Sequence, residues 1–169
     1  MKELLFRIAA QGELRPHAPA VSDGVTTLSY AELWRQVEML AAQLDGQRIA
    51  FLLANGCAWA LIDLAVQARG ATGIPIPTFF SDAQIAHLLD DAAPDLILTD
   101  QPARIAALLQ DAAGVQRPLA GRAVYAFVRA VEPASPLPAN TAKLTYTSGT
   151  TGQPKGVCLG GAAIERVTF

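Results

Sequence analysis

Apolar residues recur along this chain in two rhythms, one of helical spacing and one of short unbroken runs. Tyr30, Leu33, Trp34, Val37, Leu40, Ala41 and Leu44 fall three and four apart, which places them on one face of a helix. Ser29 with Glu32 makes a capping box that starts this helix, and Asp45-Gly46 ends it. Ser81 with Gln84 repeats the device ahead of Ile85, Leu88 and Leu89, in a helix that Pro94 terminates. Residues 48–53, 71–76 and 96–99 are apolar runs too short for helices, and they read as strands. Between the first two, residues 56–69 read as a helix whose one polar stripe is Asp63 and Gln67, four apart, so most of its circumference is buried.

The remainder extends the pattern. Residues 1–15 predict a short helix, and Asp23-Gly24, between 20–22 and 25–28, suits the positive φ angles of a tight hairpin. Asp100 is expected to cap a helix with Pro102 in its first turn and Ile105, Leu108, Leu109 and Ala112 on one face. Strands follow at 122–128 and 142–147, separated by an extended stretch marked by Pro133, Pro136 and Pro138. Such alternation predicts an α/β fold, a mostly parallel sheet flanked by helices on both faces.

Composition narrows the function classes. A chain of 169 residues, 51% hydrophobic, can bury one domain-sized core. Thirteen basic against fifteen acidic residues give a net charge of −2, which offers no attraction to nucleic acid or to an anionic membrane. Cys57 and Cys158 stand far apart without a second pair, and the first residues carry no apolar leader. A reduced, cytoplasmic protein without a membrane span is expected.

The chemistry is concentrated late in the chain. From Thr147 to Gly156, ten positions hold four hydroxyl residues, three glycines and one lysine. Glycines let backbone N–H groups turn toward an anion, hydroxyls add donors on short arms, and lysine adds a mobile positive charge. The Walker phosphate loop does not fit. Gly149 is followed by Pro154, not glycine, before Lys155, and Gly156-Val157 leads into a strand where that loop would open a helix. A loop between two strands is therefore expected.

Residues 145–157, Thr-Tyr-Thr-Ser-Gly-Thr-Thr-Gly-Gln-Pro-Lys-Gly-Val, resemble the phosphate signature of the adenylate-forming superfamily of acyl-CoA synthetases, amino-acid adenylation domains and luciferases. Leu28-Ser29-Tyr30-Ala31-Glu32-Leu33, residues 48–55 and the stretch from Ala68 to Pro77 agree with its earlier segments, and Thr78-Phe79-Phe80-Ser81 is closer to the acyl-CoA synthetases. The resemblance spans all 169 residues but only the beginning of the pattern. They would form the N-terminal part of the large domain, with the adenine, ribose and magnesium sites, the acyl pocket and the C-terminal lid outside it.

It implies an AMP-forming ligase that activates a carboxylic acid, fatty acids included, with ATP and Mg2+ and passes the acyl group to coenzyme A or a carrier-protein thiol. The alternatives are an amino-acid adenylation fragment and a non-catalytic module acting by protein–protein contact. Carried over by position, Thr147, Ser148, Gly149, Thr150, Thr151 and Gly152 would wrap the β- and γ-phosphates, with Lys155 neutralising charge. No catalytic base and no metal ligand is assigned. Gly160-Gly161 stands where many relatives carry a hydroxyl residue and a histidine.

Lysine and phosphate about 4 Å apart gain about 1 kcal/mol in water and about 4 kcal/mol near a protein surface. Millimolar affinity already needs about 4 kcal/mol, so the chain alone is expected to bind ATP weakly or undetectably and to be inactive. Exposed apolar surface is expected to make it self-associate. Bland roles fall to the remaining candidates: His17 and His87 as solvated or core residues, Cys57 as a buried inert thiol, Trp34 and Trp59 as packing, Asp90-Asp91 as solvent-facing.

Overall fold

The computed structural model describes residues 2–110, 112–131, 135–147 and 153–168. Helix α1 (Lys2–Leu14) leads into a small antiparallel ribbon, β1 (Pro19–Ser22) and β2 (Thr27–Ser29), and then α2 (Tyr30–Gln43). There follow β3 (Arg48–Leu52), α3 (Cys57–Arg69), β4 (Thr72–Pro75), α4 (Asp82–Ala92), β5 (Leu96–Thr99) and α5 (Pro102–Leu108). The chain ends in β6 (Val115–Leu119), β7 (Arg122–Val128), β8 (Thr141–Thr147), β9 (Lys155–Gly160) and α6 (Gly161–Thr168).

Seven strands form one sheet in the order β6-β7-β5-β3-β4-β8-β9. Its centre, β5-β3-β4-β8, is parallel, and antiparallel strands complete both margins. Alternation along β3 divides the core between the two faces, as strand geometry requires. Ala50 and Leu52 pack with Ile85, Leu88 and Leu89 of α4 and Ile105 of α5. Ile49 and Phe51 pack with Ile62 and Val66 of α3 and Leu40 of α2. Helices thus cover both faces of the sheet.

Both capping boxes form, with Ser29 accepting from the Glu32 N–H and Ser81 from the Gln84 N–H. Asp100 does not cap α5. Gln101 occupies that position without a side-chain cap, because Arg122 at the start of β7 draws the Asp100 carboxylate into a 2.7 Å ion pair. Thr99 serves the turn instead, accepting from the Gln101 N–H and donating to the Leu52 carbonyl. Strand β6 was not expected from its sequence. It pairs with β7 through a two-residue turn, Ala120-Gly121, both at positive φ as such hairpins require.

Asp23 links the ribbon to the sheet layer. Its carboxylate accepts from Val25 and Thr26 within the turn and from the Cys57 N–H at the start of α3, whose own N-cap, Gly56, has no side chain to offer. These backbone donors, Thr26 foremost, lower its pKa from 3.8 to about 2. Because the folded value lies below the unfolded one, the stabilisation is present above about pH 4 and lost as pH falls toward 2. Thermal melts should therefore find Asp23→Asn less stable than wild type at pH 7, with the gap closing between pH 4 and 2. A gap that persists at pH 2 would contradict this role.

Candidate phosphate-binding site

Strands β8 and β9 form the antiparallel hairpin expected around the hydroxyl- and glycine-rich segment. Their register pairs Thr145 with Val157, Tyr146 with Gly156 and Thr147 with Lys155. Thr147 and Lys155 therefore face one another as the last pair of that register, both exposed. Lys155 has no ion-pair partner among the described residues. Ser148, Gly149, Thr150, Thr151 and Gly152 lie outside the described residues.

Strand β8 is held where it is by side chains distant in sequence. Thr72 Oγ1 donates to the Thr141 carbonyl at 2.9 Å, and Gln67 Nε2 donates to the Ala142 carbonyl at 3.1 Å. Lys143 Nζ lies 2.8 Å from Asp63 Oδ1 and 2.9 Å from Oδ2; hydrogen-bond alignment is met only at Oδ2, so the Oδ1 approach is a contact of charges. Trp59 covers the same ammonium, its ring centre 5.8 Å away. The polar stripe of α3 is thus explained: Asp63 and Gln67 face β8.

Tyr146, one residue before the mouth, is buried, and its hydroxyl donates to Asp91 Oδ2 at 2.5 Å. Burial first, then the Asp91 carboxylate, push its pKa well above the ordinary tyrosine value, so it stays a protonated donor. Gly156 opposite packs closely, since a Cβ there would lie 3.1 Å from Leu144 and 3.2 Å from the Tyr146 ring, and these side chains would have to give by a few tenths of an ångström. Asp91 is exposed as expected and in addition accepts from the Tyr146 hydroxyl, while His87 is half-buried with its Nε2 3.2 Å from the Pro154 carbonyl. Cys57 is buried, and desolvation raises its pKa, in keeping with an inert thiol. Gly160 ends β9 and Gly161 begins α6.

Among the described residues, the end of the hairpin thus presents the exposed Thr147 and Lys155 side by side. In comparison with known proteins, the model of the AMP-binding enzymes matches residues 8–166. The chain belongs to the AMP-binding enzyme family. Among similar members, enterobactin synthase component F of Escherichia coli O157:H7 is 32% identical over 93% of this chain and 12% of its own length. Feruloyl-CoA synthase of Amycolatopsis sp. is 36% identical over 88% of this chain and 31% of its own. A malonyl-CoA ligase solved with methylmalonyl-CoA and AMP superimposes with a TM-score of 0.68 at 26% identity, over 89% of this chain and 31% of that one. The chain therefore spans an eighth to a third of these family members. Among the described residues, no helix is long and apolar enough to cross a membrane.

Proposed function

We propose that this chain is the phosphate-gripping portion of an enzyme that condenses a carboxylic acid with ATP and then transfers the acyl group to a thiol of coenzyme A or a carrier protein. The observation that carries the proposal is the pairing of Thr147 with Lys155 at the mouth of the β8–β9 hairpin. A carboxylate oxygen would attack the α-phosphorus, the bond to the bridging oxygen would break, and pyrophosphate would leave. Nothing in that displacement needs a protein nucleophile. The Lys155 ammonium and the Thr147 hydroxyl would hold the departing pyrophosphate in line and stabilise its charge.

Among the described residues no cluster of three carboxylate, histidine or cysteine side chains is present to hold a metal. Magnesium would arrive with the nucleotide. The similarity to enterobactin synthase component F, of which this chain spans 12%, favours a second reading. In that reading an adenylation unit sits within a longer synthase and hands its acyl group to a carrier domain. Pyrophosphate exchange by the whole polypeptide carrying this chain, run with fatty, aromatic and amino acids, tests both. Exchange with fatty or aromatic acids and transfer to coenzyme A is the expected result; exchange with amino acids alone supports the second reading, and exchange with none overturns both. The 169-residue chain by itself should show no exchange.

The expectation of self-association is supported by a largely apolar trough of about 280 Å3 between α2 and the β6–β7 hairpin, lined in part by Met39, Leu40, Leu98, Val124 and Val128. Met39 is 52% exposed and Val128 83%. Light scattering should show the mass rising with concentration, and a monomer at high concentration would contradict this.

A further inference from the structure

We propose that His87 and Asp91 of α4 are positioning residues for the phosphate hairpin, each fixing one of its two legs; the proposal rests on the phosphate-binding reading of that hairpin. Four positions apart, they lie on one face of the helix. Asp91 holds the incoming leg through the Tyr146 hydroxyl, immediately before Thr147. His87 holds the outgoing leg at Pro154, immediately before Lys155. The two residues at the mouth are therefore each one peptide from a fixed point on the same helix.

The chemistry of both contacts is specific. A carbonyl only accepts, so His87 carries its proton on Nε2 and donates to Pro154. Pro154 is buried and has no N–H, which leaves that carbonyl as its one backbone hydrogen-bonding group, and one that needs a partner. The Tyr146 hydroxyl, also on a buried residue, has the same need, and Asp91 meets it.

A clamp is useful only on a rigid support, and α4 is tied at both ends. Its start is fixed by the Ser81–Gln84 box and by Arg104, which binds Asp82 at 2.6 Å and the Phe80 carbonyl at 2.5 Å. At its end, Arg48 donates to the Ala92 carbonyl at 2.9 Å and Arg129 to the Leu89 carbonyl at 3.1 Å. Ile85, Leu88 and Leu89 anchor the opposite face in the core. A phosphate tail drawn to Thr147 and Lys155 would meet groups whose spacing has been set beforehand, so less ordering cost is charged against binding.

The test uses inorganic triphosphate as the probe and amide NMR of the 169-residue chain as the readout. In Tyr146→Phe, His87→Ala and Asp91→Ala, hydrogen exchange at Lys155 and Gly156 should rise about tenfold and triphosphate Kd should weaken about three- to tenfold, while amides of α3 keep their wild-type exchange. Asp91→Asn and His87→Gln keep an acceptor and a donor respectively, and should stay within about twofold of wild type. Folded variants with unchanged exchange at Lys155 and Gly156 and unchanged Kd would overturn the clamp, as would conservative variants that weaken as much as the alanines. A wild type that ignores triphosphate, with exchange still raised in the variants, would sink the phosphate reading and leave the clamp standing.

Discussion

Replacing Asp63 with alanine is expected to destabilise the chain by about 3 kcal/mol, because it strands the Lys143 ammonium in a largely buried site. Both side chains are only 15% exposed, so water replaces little of what the carboxylate supplies. The range for breaking a buried pair runs from about 3 to 5 kcal/mol, and the residual exposure together with the Trp59 face argues for its lower end. For a chain of this size that corresponds to a fall in melting temperature of about 6–12 °C. Replacing both partners, Asp63→Leu with Lys143→Met, removes the stranded charge and should recover most of the loss. A single variant that melts within about 2 °C of wild type would show that the pair is not what holds β8 against α3.

Lys155→Ala is expected to act in the opposite way, leaving stability unchanged and lowering pyrophosphate exchange by the whole polypeptide about tenfold to a hundredfold. The side chain is exposed and has no ion-pair partner among the described residues, so its removal costs the fold little. What it would remove is positive charge at the place where the leaving pyrophosphate gathers its negative charge. Lys155→Arg keeps the charge on a planar, longer group and should retain an intermediate rate. Wild-type exchange in Lys155→Ala would end the role given to this lysine.

How far the sequence announces this structure depends on whether the deciding interaction is local. Ser29 with Glu32 and Ser81 with Gln84 act over three residues, and both helices start where their capping boxes place them. Asp100 has the same local credentials and fails, because Arg122, 22 residues on, offers a stronger partner than a helix end. Strand β6 carries Gln116, Arg117 and Pro118 and is exposed along most of its length. That is the composition of an edge strand, whose apolar period is too weak to see and whose proline helps keep the edge from pairing further.

The same division runs through the site. The hairpin carrying Thr147 and Lys155 is legible, because glycine and hydroxyl content marks the loop and Val157 marks the strand leaving it. The groups that hold that hairpin are not. Asp63 is 80 residues from Lys143 and His87 is 67 from Pro154. One signal was available: a polar stripe, Asp63 and Gln67, on an otherwise apolar helix asks for buried polar partners, and β8 supplies them. For His87 and Asp91 nothing comparable exists, since a polar residue on a helix surface is ordinary until the fold brings a hairpin against it.

The most direct test of the central claim is an NMR titration of the chain with ATP, pyrophosphate and adenosine, followed at the amides of Thr147, Lys155 and Gly156. ATP and pyrophosphate should shift these resonances together, saturating no tighter than the millimolar range, and adenosine should leave them in place. Shifts that spare the β8–β9 hairpin and fall in the apolar trough beside α2, or an equal response to adenosine, would contradict the account.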